Sequence, residues 1–187
     1  MRKIIVQFGV SLDGFMEGPN REIDWHMVDE EFNRYAIDTI RQMDTLLFGR
    51  VTYQLFESYW PSAAKDPKTS PHDLEIARLF NNMSKVVFSK TLKKVEWENS
   101  RLVRDVVAED ILKMKRQPGK DMSVGGAALI QRFTELGLID EYRLLVHPLL
   151  LGSGKRLFKE DGEKRPLKLM GTKTFGSGVV ALTYQPG

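Results

Sequence analysis

The spacing of apolar residues changes along the chain between the period of a strand and that of a helix. Residues 4–10, Ile4-Ile-Val-Gln-Phe-Gly-Val10, form an apolar run rich in β-branched side chains, which is typical of a central strand covered on both faces. After a glycine-bearing loop over residues 11–20, apolar residues recur at intervals of three and four from Val28 onward. This spacing predicts a helix that leads into a strand over residues 45–48.

The middle of the chain continues this alternation of helices and strands. Residues 61–72 contain three prolines among small and charged residues, which predicts a surface loop. The elements predicted after this loop are a helix over residues 73–82, a strand over 85–88, a weak strand over 101–103, a helix over 108–116 and a strand over 121–124. Such an order favours a layered α/β domain.

In the last third of the chain, the predicted strand pairing changes from parallel to antiparallel. Apolar residues from Leu129 to Leu136 form one helix face, and Gly137 stands where a left-handed C-terminal cap is expected. A strand over residues 140–147 is followed by two strands, 167–175 and 179–184, that flank a glycine-rich turn. The sequence therefore predicts one domain over residues 1–187. It is expected to be a three-layer α/β/α domain with a mixed sheet of about eight strands that ends in an antiparallel hairpin.

The composition narrows the class of protein. The 187 residues suffice for a single domain with a substantial core. The 28 basic and 25 acidic side chains leave a net charge of only +3 with no basic block, so we expect no nucleic-acid partner. The absence of cysteine excludes disulfides, thiolate metal sites and a cysteine nucleophile. Residues 4–10 are far shorter than the ~20 apolar residues of a membrane span, so we expect a cytoplasmic protein with no membrane segment.

Two strand-to-helix turns carry the candidate chemistry. In Asp44-Thr-Leu-Leu-Phe-Gly-Arg-Val-Thr-Tyr53 and in Met122-Ser-Val-Gly-Gly-Ala-Ala-Leu-Ile130, a short strand runs directly into glycine and then into a helix. Glycine lets the backbone approach a bound group, and the first turn of a helix presents unpaired N–H groups at a positive dipole end. Two such turns predict a dinucleotide site.

Three other patterns do not indicate a site. Gly176-Ser-Gly-Val-Val-Ala181 fits the dinucleotide fingerprint, but it joins two strands and no helix follows. Gly152-Ser-Gly-Lys155 lacks both the first glycine and the Ser or Thr of a phosphate-binding loop. His26, His72 and His147 lie far apart in the sequence, so we expect each to be structural or exposed and expect no metal site.

The chain resembles the dihydrofolate reductase-like superfamily over nearly its whole length. It is most similar to the reductase (C-terminal) domain of the bifunctional riboflavin-biosynthesis deaminase/reductase. The resemblance rests on six short strings that occur in the family's order. They are Val10-Ser-Leu-Asp-Gly-Phe-Met16, Asp44 to Tyr53, Val86-Val-Phe-Ser89, Val124-Gly-Gly126, Gly137-Leu-Ile-Asp-Glu141 and His147-Pro-Leu-Leu-Leu-Gly-Ser-Gly154.

The resemblance implies an NADPH-dependent reductase in which the two glycine turns hold the cofactor from both sides. The chemistry of the residues agrees with this, since Arg50 offers a charge-assisted donor to phosphate and Thr52 adds a hydroxyl. Ser89 and Lys90 follow the next strand and are expected to meet an adenosine 2′-phosphate. The resemblance also implies a homodimer. The expected cofactor residues are Gly49, Arg50, Val51, Thr52, Ser89, Lys90, Val124, Gly125, Gly126, Ala127 and Ala128.

The substrate does not follow from the resemblance, because the sequence departs from both enzyme types at the substrate positions. Riboflavin reductases carry an Asp-x-Pro and a substrate-binding Arg after the second strand, where this chain has residues 52–60. They also carry an acidic residue before the later glycine turn, where this chain has Val124. Folate reductases place one buried carboxylate early in the first long helix, but the pattern around Asp29 does not match theirs.

An aromatic pocket and one carboxylate remain as substrate-side candidates. A flat heterocycle is expected to stack among aromatic side chains, although core packing explains those residues equally well. Asp13 is the candidate catalytic group near the reacting centre, and an Asx-type turn is the equal alternative. The expected substrate residues are Ser11, Trp25, Asp29, Phe32, Tyr53, Phe56 and Trp60.

These candidates predict direct hydride transfer to a C=N or C=O group of a small heterocyclic substrate, as in 5-amino-6-(5-phosphoribosylamino)uracil reductase. No metal or flavin is required for this reaction. Two alternatives stay open at this point. One is a nucleotide-binding or interaction protein that kept the fold and lost the substrate site, and the other is a folate or pterin reductase.

Overall fold

The structure is a computed structural model that describes residues 1–159 and 162–187. Its strands are β1 (Ile4–Ser11), β2 (Phe15–Glu17), β3 (Met43–Gly49), β4 (Ser84–Phe88), β5 (Ser100–Val103), β6 (Asp121–Gly125), β7 (Glu141–His147), β8 (Lys155–Arg156), β9 (Leu167–Thr174) and β10 (Val180–Pro186). Its helices are α1 (Glu30–Arg41), α2 (Arg50–Glu57), α3 (Trp60–Ala63), α4 (Pro71–Asn82), α5 (Ala108–Arg116) and α6 (Ala127–Glu135). No helix in these described ranges is long and apolar enough to cross a membrane.

An eight-stranded sheet organises the molecule, with the order β5-β4-β3-β6-β1-β7-β10-β9. The strands from β5 to β7 are parallel, whereas β10 pairs antiparallel with both β7 and β9. The predicted eight strands and the antiparallel C-terminal hairpin are thereby confirmed. A separate two-stranded ribbon pairs β2 with β8.

Helices cover both faces of this sheet because alternate residues of its central strands are apolar on opposite faces. Ile4 and Val6 of β1 belong to the core that includes residues of α5 and α6. Ile5, between them, belongs to the opposite core, which includes residues of α1, α2 and α4. Both cores contain residues of several strands, so the predicted three-layer α/β/α architecture is confirmed.

Capping residues set the ends of the helices. The Asp29 side chain accepts a hydrogen bond from the Phe32 N–H at 2.7 Å, so α1 begins at Glu30. This start is two residues later than the apolar spacing from Val28 suggests. Gly137 follows α6 with φ +63° and confirms the predicted left-handed cap.

Two predicted loops contain short elements. α3 (Trp60–Ala63) extends into the loop predicted over residues 61–72. At the end of that range, α4 begins at Pro71, where the Ser70 side chain accepts a hydrogen bond from the Asp73 N–H at 3.1 Å. A proline in the first helical turn is favourable, so Pro71 marks a helix start and the surface-loop prediction is wrong there. The loop predicted over residues 11–20 likewise contains β2.

Candidate active site

The two glycine turns meet at the carboxyl edge of the sheet. They end β3 and β6, which are neighbouring parallel strands with Phe48 opposite Gly125. From β3 the chain continues to β4 and β5 at one edge of the sheet, whereas β7, which follows β6, lies on the other side of β1. A crevice at such a reversal of strand order is the usual ligand site of an open α/β sheet.

Gly126 provides the close approach between these turns. Its φ is +101°, and a Cβ atom at this position would lie 2.8 Å from Thr52 Oγ1 and 3.9 Å from the Gly49 nitrogen. A side chain is therefore excluded at position 126 on two grounds, backbone conformation and space. Gly49 differs, since its φ is −75° and an added Cβ would make only an ordinary contact at 3.8 Å.

A cleft of about 750 Å³ opens above the turns. The cofactor residues predicted from the sequence that line it are Gly49, Arg50, Val51, Thr52, Ser89, Lys90, Gly126, Ala127 and Ala128. Two other predicted cofactor residues lie behind the cleft. Val124 is completely buried, and Gly125 packs against Phe48, whose ring lies 3.1 Å from the position of an added Cβ. Both residues pack behind the cleft, and their predicted cofactor contact stays a prediction.

Both helices that start in the cleft have N-termini suited to an anion. Gly49 and Gly126 are the N-cap residues of α2 and α6, and no side chain in the described part of the chain caps either end. The first N–H groups of each helix are thus available to a ligand. Arg50 is exposed in the first turn of α2, and its guanidinium donates to Gln54 Oε1 at 3.2 Å.

Further cations line the cleft that the sequence reasoning missed, namely Arg104, Arg132 and Lys155. Arg104 donates to the backbone carbonyl groups of Ser89 and Leu92, and so fixes the turn after β4. It is the first charged residue after β5, just as Ser89 and Lys90 directly follow β4, so its position after a strand was the available signal. Lys90 forms an exposed ion pair of 2.8 Å with Asp105.

Ser89 is placed at the cleft but already supports a turn. Its Oγ accepts hydrogen bonds from the N–H groups of Thr91 at 3.2 Å and Leu92 at 3.0 Å. Together with Arg104 these bonds hold the chain after β4 in one conformation. The backbone there is therefore preorganised for a ligand.

Asp13 does not have the position expected of a catalytic acid. Its Oδ1 accepts from the Ser11 hydroxyl at 2.6 Å and from the Leu151 N–H at 3.1 Å, while Oδ2 accepts from the Gly152 N–H at 2.8 Å. These bonds, the Ser11 hydroxyl first, lower the pKa of Asp13 from 3.8 to about 2. A carboxylate with this pKa holds no proton near neutral pH, so the geometry favours the alternative of a turn residue, and the catalytic role stays a prediction.

The side chains of Ser11 and Asp29 also form hydrogen bonds within the protein. Ser11 is 1% exposed and accepts from the Phe15 N–H at 3.0 Å besides donating to Asp13. Asp29 accepts from the N–H groups of Phe32 and Ser177, each at 2.7 Å, and the Phe32 bond is the main cause of its lowered pKa. Both residues hold loops and are not in the lining of the cleft, so their predicted substrate contacts stay predictions without support from the geometry.

The predicted aromatic wall is divided between two places. The five aromatic residues predicted to contact the substrate are Trp25, Phe32, Tyr53, Phe56 and Trp60. Of these, Phe56 alone lines the cleft. Tyr53 is 1% exposed, and its hydroxyl accepts from the N–H groups of Glu96 and Trp97, so it is a core residue. Trp60 packs with Phe80 in the same core. Trp25 and Phe32 lie elsewhere, around His147.

Two histidines that are remote in sequence form a stack beside the cleft. The rings of His26 and His147 lie 4.7 Å apart and nearly parallel, and His26 lines the cleft. His147 Nδ1 accepts from the Met27 N–H at 3.0 Å, which leaves the proton of the neutral ring on Nε2. Burial lowers the pKa of both rings, that of His147 to about 4.

Gly9 of β1 makes room for this stack. A Cβ there would lie 3.0 Å from His26 Nε2 and 3.2 Å from His147 Nε2. The sequence expectation that each histidine is structural or exposed agrees with the full burial of His147. Their association was not visible in the sequence, because it joins the segment of His26 and Met27 to the end of β7, and Met27 and His147 are 120 residues apart.

This architecture agrees with comparisons to known proteins. A model of the RibD C-terminal domain matches residues 2–181. The chain belongs to the RibD C-terminal domain family. Its relatives include the uncharacterized protein YyaP of Bacillus subtilis (strain 168). The two are 40% identical over 184 residues, which cover 98% of this chain and 94% of the relative.

Solved structures show the same fold at low sequence identity. A putative riboflavin biosynthesis protein from Shewanella sp. PV-4 superposes with a TM-score of 0.75, at 22% identity and over 99% of both chains. Dihydrofolate reductase from Enterococcus faecalis, complexed with NADP(H), superposes with a TM-score of 0.64 at 12% identity, over 99% of this chain and 96% of that one. The resemblance inferred from the six sequence strings is confirmed, and this RibD C-terminal domain has a reductase fold similar to dihydrofolate reductase.

Proposed function

We propose that this RibD C-terminal domain is an NADPH-dependent reductase that transfers a hydride to a C=N or C=O group of a small heterocyclic substrate. The observation that carries the proposal is the meeting of two uncapped helix N-termini at one cleft, where Gly126 lets the turns approach closely. Such N-termini suit the phosphates of a dinucleotide. Structures of the same fold include a putative riboflavin biosynthesis protein and a dihydrofolate reductase complexed with NADP(H), which supports the same class of reaction.

The cleft has both kinds of lining that this cofactor needs. Arg50, Lys90 and Arg104 are cations in the lining that would hold phosphate groups, including an adenosine 2′-phosphate. Phe8, Leu55 and Phe56 are apolar residues of the same lining. Those side chains would exclude water and align a flat ring. When bound, NADPH supplies the hydride.

A proton must also reach the substrate, and the hydrogen bonds that hold Asp13 within its loops favour other candidates. Glu17 and His26 are titratable residues that line the cleft. Glu17 pairs with Lys155 at 3.5 Å, whereas burial lowers the pKa of His26 and favours its neutral ring. We propose that one of them, or a water molecule that it holds, delivers this proton.

Isothermal titration with NADPH and with NADH tests the proposal. We expect saturable binding of NADPH at one site per chain, and stronger binding than that of NADH. Failure of both nucleotides to bind would contradict the proposed cofactor.

A second candidate is a nucleotide-binding protein without reductase activity. It is favoured by the commitment of Asp13 and Asp29 to loop backbone, which leaves the expected substrate carboxylates occupied. NADPH oxidation followed by absorbance with ribosylaminopyrimidine or pterin compounds separates the two candidates. Turnover with any of these compounds would exclude the second candidate, and binding of NADPH without turnover would favour it.

We also propose a homodimer that uses the hairpin edge of the sheet. β9 is an edge strand whose residues are all exposed, and Leu167, Leu169 and Met170 are 43%, 51% and 49% exposed. An exposed edge with apolar side chains is the kind of surface that protein partners cover.

A further inference from the structure

A second cavity lies behind the cleft, on the face of the sheet that α1, α2 and α4 cover. Its volume is about 170 Å³, and Phe48, Phe56 and Phe80 lie in its wall. The ring centroids of Phe48 and Phe56 are 5.0 Å apart, and those of Phe56 and Phe80 are 5.4 Å apart. We name this space the ring pocket. An apolar cavity of about 150 Å³ is large enough to hold one benzene ring.

One side chain in the wall of the ring pocket has an unusual hydrogen-bonding state. Gln7 of β1 donates from Nε2 to Thr39 Oγ1 at 2.9 Å. Thr39 Oγ1 in turn donates its only proton to the Ala36 carbonyl oxygen at 2.8 Å, so it must accept from Gln7. This fixes the orientation of the Gln7 amide and leaves Oε1 as its free end.

Gln7 Oε1 is buried and has no hydrogen-bond partner among the residues that the structure describes. Buried polar atoms are nearly always paired, and an unpaired acceptor is costly. A ligand with an N–H group would supply the missing donor. Ser123 of β6 pairs with Ile5, two residues before Gln7, so its side chain lies on the same face of the sheet. It also lines the pocket and adds a second polar group there.

The ring pocket adjoins the cleft. Phe8, Thr52 and Phe56 line both spaces, so these side chains form the boundary between them. A ring in the pocket would therefore lie next to a ligand in the cleft. We propose that the ring pocket binds a single aromatic ring carrying an N–H or amino donor, and that Gln7 Oε1 accepts the hydrogen bond from that donor.

Pyrrole and furan are suitable probes, because both are five-membered rings and only pyrrole has an N–H group. The titrations use the full chain without any nucleotide, so their outcome is independent of the proposed reductase activity. Met43 and Met83 line the pocket, and their ¹³C-labelled methyl groups report its occupancy by NMR. We expect pyrrole to shift both methyl signals in a saturable way and to bind about tenfold more tightly than furan, the factor of one hydrogen bond to a buried acceptor.

The Gln7→Met variant keeps the length of the side chain and removes the amide. We expect it to bind furan as before and to lose the preference for pyrrole. Equal binding of pyrrole and furan by the unmodified protein would overturn the role of Gln7, and that comparison needs no variant. If neither probe shifts the Met43 and Met83 signals, the ring pocket is not a ligand site.

Discussion

Two glycines that end a strand and begin a helix carry different constraints. Gly126 has a φ of +101° and faces Thr52 Oγ1, whereas Gly49 has a φ of −75° that any residue adopts. We therefore expect Gly126→Ala to lower the free energy of unfolding by about 1–3 kcal/mol and to weaken NADPH binding, because the added Cβ displaces the turn. Urea unfolding and calorimetric titration measure the two effects.

Gly49→Ala is the matched control for this substitution, since its Cβ would meet only Leu129 Cβ at 3.8 Å. We expect its stability to stay close to that of the unmodified protein. Equal losses of stability in the two variants would mean that the contact between the turns is not what requires glycine.

Arg50 is the residue on which the choice between NADPH and NADH depends in this account. Arg50→Ala removes a charge-assisted hydrogen bond worth about 1.5–3 kcal/mol, so NADPH affinity should fall roughly tenfold or more while NADH affinity changes less. Arg34→Ala, which removes an exposed arginine of α1 that pairs with Glu30 at 3.0 Å, serves as the control. Equal losses for both nucleotides in Arg50→Ala would place Arg50 away from the 2′-phosphate.

More of the residues proposed for the cofactor than of those proposed for the substrate line the cleft, for a physical reason. Gly49 and Gly126 follow parallel strands, and the carboxyl ends of neighbouring parallel strands lie at one edge of the sheet. The side chain of Asp13 takes its direction from the N–H groups of Leu151 and Gly152, the first of which is 138 residues away in the chain. No local pattern encodes a contact of that range.

At the scale of elements, Asp13 connects the end of β1 to the loop after β7 through its hydrogen bonds with the N–H groups of Leu151 and Gly152. We expect Asp13→Asn to destabilise the protein at pH 7, because an amide cannot accept from both backbone N–H groups and the Ser11 hydroxyl in the same way. The pKa of Asp13 is lowered in the folded state from 3.8 to about 2, so its stabilisation is complete above pH 4 and is lost as the pH falls toward 2. The difference in unfolding free energy between the two proteins should shrink over that range.

Steady-state kinetics distinguish this structural role from a catalytic one. If Asp13→Asn instead abolishes turnover while its urea midpoint equals that of the unmodified protein, then Asp13 has the catalytic role that the sequence predicts.

Periodicity predicted the long elements and missed the short ones. The eight strands of the large sheet each have an apolar run or an alternating pattern, and all eight were predicted. β2 and β8 have three and two residues, and α3 has four, which is too short to show any period. These elements exist because of tertiary contacts, such as the pairing of β2 with β8.

At the scale of the whole molecule, the exposed β9 edge predicts self-association. Light scattering coupled to size-exclusion chromatography should give twice the 21.4 kDa mass of one chain. Leu169→Glu should shift the protein to monomer because it places a charge in the apolar contact, whereas Lys65→Glu, between α3 and α4, should not. A monomeric mass for the unmodified protein would contradict the proposed dimer.

The central claim is that a dinucleotide lies across the two glycine turns of this RibD C-terminal domain. An NADPH titration followed in ¹H–¹⁵N NMR spectra tests it most directly, because each backbone amide is observed separately. We predict saturable shifts at the amides of Gly49, Arg50 and Val51 and of Gly126, Ala127 and Ala128, with those of α5 and the β9–β10 hairpin unchanged. Binding of NADPH that leaves these six amides unshifted would contradict the account.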